Sequence, residues 1–283
     1  MLSICAFNTI AVDVVTVNVG ESETDKRILF KNELVRQALE ITKEEYGEYK
    51  IVANPMRMNI NRAFRELEIG TNLSLTFAHT RKEFEDRAFP VRVPIRQGVD
   101  AYRLLVVKKG RELLFESIES LDDLKKLRVG LSPAWATYKI MKDEGFDIVD
   151  APVYKTMYNM LELERFDYIP RAINEIYDEI ELYKPRQDGL AIVPGIALHI
   201  PSTSYMFVSH KQPRIYQRLN SGLHAMNLNG DLSALTDKFF KTSIKKAALQ
   251  NRRIFSLNNE EFNTVVKPIE QIVTPCTIDN LSD

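Results

Sequence analysis

Cysteine is almost absent from the 283 residues: only Cys5 and Cys276 occur, near opposite ends. Two thiols make neither a disulfide framework nor a zinc set. A basic surplus is also missing, since 38 Lys+Arg face 39 Asp+Glu for a net charge of −1. A protein whose main partner is a nucleic acid carries such a surplus to displace counterions, so that class is set aside. The 11 Gly and 12 Pro are too few for a low-complexity or disordered chain. No stretch approaches the ~20 apolar residues that a membrane-spanning helix requires. There is no GxxxxGK[ST], no GxGxxG after a strand, no HExxH and no GxSxG elbow. Of His79, His199, His210 and His224, no two sit at helical ligand spacing, so the sequence offers no metal cluster. Triads assemble from distant positions, which leaves catalysis open. Still, no residue announces nucleophilic or metal chemistry.

What is present is an ordinary globular composition, 45% hydrophobic and 27% charged, in a chain long enough for two domains. Residues 1–11 (MLSICAFNTIA) are nearly uncharged, and the first basic residue is Lys26. The expectation is a signal-peptide remnant with Thr9-Ile10-Ala11 at its cleavage site. The alternative is a short leader to a buried first strand.

Patterning then alternates. Residues 14–19 (VVTVNV), 49–53 (YKIVA) and 73–77 (LSLTF) read as strands. Between them, Phe30, Leu34, Val35, Ala38 and Leu39 recur at helical spacing, and residues 60–67 form a second helix capped by Gly70. This βαβαβ order favours a parallel sheet covered by helices. Residues 89–95 (FPVRVPI) hold two prolines and cannot be a central strand. Strands are expected at 102–108, 127–131, 166–168, 190–193 and 205–209. Helices are expected at 135–143, 157–163, 171–183 and 232–240, with another carrying Ile215, Tyr216, Leu219, Leu223 and Met226. Ser120 is the N-cap of a helix with acids in its first turn. Residues beyond Asn251 carry no clear pattern, and no Gly/Ser linker separates the two αβ units.

Several segments, taken in order, carry a resemblance: Glu66-Leu-Glu-Ile-Gly70 and LSLTF, Thr80-Arg-Lys-Glu83, Ala88-Phe89-Pro90, Gly98 and YRLLVVK. So do Ser120 to Gly130 (SLDDLKKLRVG), Glu164-Arg-Phe-Asp167 and Tyr205-Met-Phe-Val-Ser209. From about residue 12 to 240 the chain resembles the family 3 periplasmic solute-binding proteins, the polar amino-acid receptors of ABC importers. The resemblance implies an α/β fold of type II periplasmic-binding architecture: two lobes, each a mixed sheet flanked by helices, joined by two crossing strands. Lobe 1 would comprise 12–103 and 206–283, and lobe 2 would comprise 104–205.

It also implies where a ligand would sit, in the cleft between lobes. Thr80 occupies the turn position. The arginine that clamps a ligand carboxylate three residues later is replaced by Glu83, which would repel that group. Either a standard α-amino acid is not the ligand, or Arg81 or Arg87 serves instead. Ser132, Trp135, Ala136 and Thr137 lie at a strand-to-helix junction whose free backbone N–H groups make an anion site. Trp135, the only tryptophan, either stacks on the ligand or packs in the core. Arg171 stands near the spot where an acid usually holds a ligand amine. It would favour an anion, or else it bridges Glu175 at i+4. Thr76 is a hydroxyl contact from lobe 1, and Glu21, Glu23, Asp25, Arg62 and Tyr154 are weaker candidates. The implied function is extracytoplasmic, hence periplasmic, capture of a small polar solute, anionic or amino-acid-like, by hinge closure. The solute would be presented to an ABC-type permease or a membrane sensor, without a cofactor, catalysis or nucleic acid. The alternatives are a dehydratase-like enzyme on the same scaffold, with Glu83 as acid/base when buried, and an orphan sensor domain.

Overall fold

A computed structural model describes residues 12–19, 27–183 and 189–262. The signal-remnant stretch 1–11, both cysteines, and Glu21, Glu23 and Asp25 lie outside the described residues. The elements run in chain order as β1 (Asp13–Asn18), α1 (Arg27–Ile41), α2 (Lys43–Tyr46), β2 (Tyr49–Asn54), α3 (Ile60–Ile69) and β3 (Leu75–His79). Next come α4 (Lys82–Arg87), β4 (Phe89–Val91), β5 (Tyr102–Lys108), α5 (Leu121–Lys125), β6 (Val129–Leu131), α6 (Ala136–Asp143) and β7 (Ile148–Asp150). They are followed by α7 (Tyr154–Glu162), β8 (Ile169–Ala172), α8 (Ile173–Tyr183), β9 (Leu190–Ile192), β10 (Ile196–His199) and β11 (Ser204–Val208). The last elements among the described residues are α9 (Pro213–Asn229), α10 (Asp231–Ala247) and β12 (Arg253–Ser256).

The chain divides into two compact units. Among the described residues, the first takes in 12–19, 27–78, 83–93 and 206–235. Here β1 and β2 pair in parallel from Asp13↔Tyr49 to Asn18↔Asn54. A second sheet has the order β3-β11-β4, with β4 antiparallel to β11 at its edge. The edge place suits the proline-bearing 89–91 stretch, which has fewer N–H groups to offer a ladder. Ser74 ties the two sheets. It exchanges bonds with Thr16 (Thr16 N to Ser74 Oγ and Ser74 N to Thr16 O, both 2.9 Å), and its carbonyl accepts from Ser209 N at 3.0 Å. The core includes Phe64 stacked on Phe84 with centroids 3.9 Å apart, and Phe207 edge-on to Phe64 at 5.2 Å. Gly70 caps α3 in the left-handed region at φ 79°, and its N–H reaches Glu66 O.

The buried polar centre of this unit is Arg218 on α9. Its Nη1 donates to Asp13 Oδ2 at 2.8 Å, its Nη2 to Gly47 O at 2.7 Å and Leu39 O at 3.1 Å, and its Nε to Thr42 Oγ1 at 3.2 Å. One guanidinium thus binds β1, the end of α1, the loop before β2, and α9. Close by, α9 packs on α1 at Gly222, where a Cβ would stand 2.2 Å from Ala38 O.

Among the described residues, the second unit takes in 79–82, 94–183, 189–205 and 236–262. Its sheet has the order β12-β10-β5-β8, and β9 also pairs with β5. Strand β5 is antiparallel to β8, β9 and β10, while β12 runs parallel to β10. A parallel pair β6–β7 adjoins Tyr168 through a bridge from Val129. The core gathers Leu105, Val107, Phe115, Leu131, Met141, Phe146 and Tyr168. Ser120 closes a capping box with Asp123 at the start of α5, as the sequence pattern indicates.

Three sequence expectations differ in position. A lobe boundary was expected at 103/104, but the division falls at 93/94 because β5 is committed along its length to second-unit strands. Residues 236–262, expected with lobe 1, lie in the second unit, since β12 pairs with β10 there. Arg171, expected to open a helix, lies inside β8. Its backbone is held opposite Leu104 of β5, so the helix starts only at Ile173.

Two outcomes follow for the first unit. Gly222→Ala gains ~1 kcal/mol of helix propensity, but the added methyl meets backbone on a packed helix, where overpacking costs ~1–3 kcal/mol. Thermal unfolding should therefore show a lower Tm. Arg218→Met should cost ~3–5 kcal/mol in denaturant unfolding, because it strips a buried partner from Asp13. Adding Asp13→Asn should recover part of that loss.

Candidate functional site

The second unit concentrates charge where charge is expensive. Arg171 is buried at the end of β8. Its Nε donates to Glu179 Oε2 at 2.7 Å, and its Nη2 donates to Glu179 Oε1 and to Glu175 Oε2. Glu175 and Glu179 are four residues apart on α8, so one helix face presents both carboxylates to the strand end. Two tyrosines of α7 complete the arrangement. Tyr154 OH donates to Glu179 Oε1 and Tyr158 OH to Glu179 Oε2, each at 2.6 Å. Burial opposes the charge on Arg171, but Glu179 and Glu175 outweigh it and hold the guanidinium well above its ordinary pKa. Burial, then Glu179, pushes the Tyr158 phenol well up as well, so it stays a donor.

Two aromatic faces cover this ion cluster. The Arg171 Cζ lies 4.6 Å from the Trp135 ring centroid and 5.7 Å from that of Tyr154. Trp135 is half-buried and packs its apolar side on the core while occupying the N-cap of α6. Its N–H donates to Ser132 O at 3.0 Å, and the N–H of Ala134 meets Ser132 Oγ at 3.4 Å. The junction is therefore folded by its own backbone: Ser132 shapes the turn, Ala136 begins the helix and Thr137 is buried in its first turn.

A second cluster gathers where segments 79–82, 94–101 and 200–204 meet. Thr80 N donates to Thr203 O at 2.8 Å and Ile95 N to Ser204 O at 3.1 Å. Gly98, at φ 85°, supplies the left-handed turn that starts the 3-10 stretch Val99–Ala101. This turn carries Asp100, whose Oδ2 accepts from Arg96 Nη1 at 3.2 Å and from Ser204 Oγ. His79 Nδ1 stands 3.9 Å from the same oxygen. Desolvation, only partly offset by Asp100, pulls the His79 imidazole down to about 4, so it is neutral at physiological pH. Arg103 of β5 donates from Nη2 to the Asp100 carbonyl at 3.4 Å.

The structure thus brings Trp135 and Arg171 together with Ser132, Ala136 and Thr137 in one unit. Thr80 and Arg81 belong to the same unit, on the segment after His79, whereas Thr76 is buried in β3 of the first. Arg171 makes the expected i+4 bridge to Glu175, but as part of a buried cluster rather than an exposed pair. Glu83 is exposed and pairs with Arg87 Nη1 at 3.5 Å. The buried setting that an acid/base role would call for is lacking. Sequence reasoning missed Arg96, Asp100, Arg103, Asn174 and Glu179. One signal was available: Arg103 is a charge set in the otherwise apolar strand RLLVV. Among the described residues, no group of three His, Cys, Asp or Glu could hold a metal, and no helix is long and apolar enough to cross a membrane.

No protein-family model matches the chain, and no curated protein matches it in sequence. Solved structures do match. An ancestral arginine-binding protein bound to arginine is 19% identical at a TM-score of 0.57, covering 80% of this chain and 98% of that one. The probable amino-acid ABC transporter extracellular-binding protein ytmK from Bacillus subtilis is 16% identical at 0.57, covering 81% and 99%. The VFT2 domain of BvgS from Bordetella pertussis is 15% identical at 0.57, covering 80% and 93%. At these identities the likeness concerns architecture, and it gives the α/β fold of this chain as that of the type II periplasmic-binding proteins.

Proposed function

We propose that this protein is an extracytoplasmic solute-binding protein that captures a small polar, amino-acid-like ligand and hands it to an ABC-type permease or a membrane sensor. The observation that carries this reading is the pair of buried polar clusters in the second unit, one of them roofed by Trp135. Buried ion pairs are on average no better for stability than apolar residues of the same volume. Groups kept at that cost are candidates for recognition.

The names of the matching structures support the same reading: one is bound to arginine, one is an ancestral arginine-binding protein bound to glutamine, and one is a putative L-cystine ABC transporter from Listeria monocytogenes. The enzymatic alternative loses its residue, because Glu83 is exposed. Capture by hinge closure works by differential affinity alone. Turning a 1:99 population of the closed form into 99:1 takes ~5.5 kcal/mol of preference, and each hydrogen bond to a charged group supplies ~1.5–3 kcal/mol. Two or three such contacts are enough. Arg171 enters this account in a changed role. Two carboxylates already neutralise it, so it stiffens Glu179 and backs the Trp135 ring rather than seizing an anion itself.

A thermal-shift screen of the twenty L-amino acids, L-cystine and small organic acids tests the reading. At least one compound should raise the Tm. A ligand at a hundredfold its Kd adds ~2.7 kcal/mol of apparent stability. Trp135→Ala should weaken binding of that compound by roughly tenfold or more, the worth of ~1.5 kcal/mol, and leave the circular dichroism unchanged. A panel in which no compound stabilises the wild-type protein overturns the proposal.

A further inference from the structure

Arg103 is 5% exposed, and among the described residues no carboxylate lies within ion-pairing distance of it. The carboxylates nearby are taken by other cations. Arg171 takes Glu175 and Glu179. Arg96 takes Asp100. His79 is neutral. What Arg103 has is one long bond to a backbone carbonyl, at 3.4 Å, while its Nε has no partner.

The same surroundings hold other unanswered groups. Arg96 is 7% exposed and its Nε is unpartnered. Asn174, 9% exposed in the first turn of α8, has neither its Nδ2 nor its Oδ1 bonded. Position places these groups near one another. Arg103 pairs with Ala172 across the β5–β8 ladder, two residues before Asn174. Helix α8 also packs on the 3-10 turn Val99–Ala101, which lies between Arg96 and Arg103. Native proteins leave few buried polar groups unpaired, and three unpartnered donors, the Nε of Arg103 itself, the Nε of Arg96 and the Nδ2 of Asn174, are a concentration that calls for an occupant.

We propose that Arg103, aided by Asn174 and Arg96, receives the anionic group of the ligand, a carboxylate or a chemically similar oxyanion. This deepens the solute-binding reading and rests on it. The planar guanidinium offers a carboxylate two parallel N–H bonds, one of them from the now idle Nε. The Asn174 amide adds a neutral donor beside it. Burial lowers the pKa of the Arg103 guanidinium from its usual value, yet no side chain in a protein holds a proton more firmly, so it is charged when the ligand arrives. An arriving anion supplies the missing counter-charge in a site where water screens little, which makes the interaction selective for charge over shape.

The test uses the full chain and two readouts. First, Arg103→Met is compared with wild type in carboxylate-free buffer. An arginine kept for a ligand is a burden to the empty protein, so the variant should melt at or above the wild-type Tm. A fall of roughly 5 °C or more, on the scale of a lost structural ion for a chain of this size, overturns the proposal by assigning Arg103 to the fold. Second, calorimetric titration compares L-arginine with L-argininamide, and any other amino acid that stabilises the protein with its primary amide. The wild type should bind the acid at least about tenfold tighter, as expected for a bond to a charged group. In Arg103→Met the acid should weaken by a similar factor and the preference over the amide should vanish. Equal affinity of acid and amide for the wild type, or an unaltered preference in the variant, overturns the proposal. If no member of the panel binds, it is the solute-binding reading that fails, and the melting comparison still decides whether Arg103 serves the fold.

Discussion

A guanidinium leaves water only where something takes its charge, and that constraint organises both units of this protein. Arg218 is fully buried in the first unit. It is tolerated there because Asp13 and several main-chain carbonyls surround it. Those carbonyls come from elements distant in sequence, so satisfying one side chain also fixes how β1, α1, the turn before β2 and α9 meet. Placing a charge in the interior costs several kcal/mol unless geometry repays it. The repayment here is specificity of arrangement more than raw stability.

In the second unit the same constraint is met unequally. Arg171 is over-supplied, with two carboxylates and two aromatic faces. Glu179 in turn accepts from Arg171, Tyr154 and Tyr158 and has little freedom left. This cluster is a rigid wall whose net charge is negative. Arg103, close enough to feel Glu175, Arg171, Asp100 and Arg96, is under-supplied. Counted together, Arg96, Arg103 and Arg171 balance Asp100, Glu175 and Glu179, so the region is neutral as a whole but uneven locally. Structural networks tend to remove such unevenness by pairing each ion with its own partner. A recognition site tolerates it, because the ligand completes the pattern.

Much of the architecture was legible in the sequence. Runs of β-branched and apolar residues located β1, β2 and β5, and apolar spacing located α1, α3, α6 and α9, because burial of one helix face imposes that spacing directly. The capping box at Ser120 and the left-handed cap at Gly70 were readable for the same local reason. Legibility ended where the deciding force was distant. Nothing local to Arg171 shows that β5 will capture its backbone in a ladder, so a helix start looked natural. Short strands such as β12, whose only reason to exist is its pairing with β10, leave no pattern of their own. The candidate site was half visible. Trp135 and Arg171 were selected from family position and were found in contact. Asp100, Glu179 and Asn174 were invisible, since an acid or an amide looks like a solvated surface residue until the fold buries it.

Glu83 and Arg103 are best understood together. On sequence alone, a glutamate at the position that clamps carboxylates in the resembled family meant either that a standard α-amino acid is not the ligand or that Arg81 or Arg87 holds its carboxylate instead. In the structure that glutamate is exposed and engaged with Arg87, one helical turn away on α4. Its charge is spent at the surface, where water screens it, and contributes little to binding of either sign. The objection therefore weakens from repulsion to mere absence of a clamp. Arg103 supplies what is absent, on a strand instead of a turn, from a buried position where a single charge-assisted contact is worth more than at the rim. A substitution that looked like a change of ligand class is then equally well read as a change in which arginine holds the same class of group.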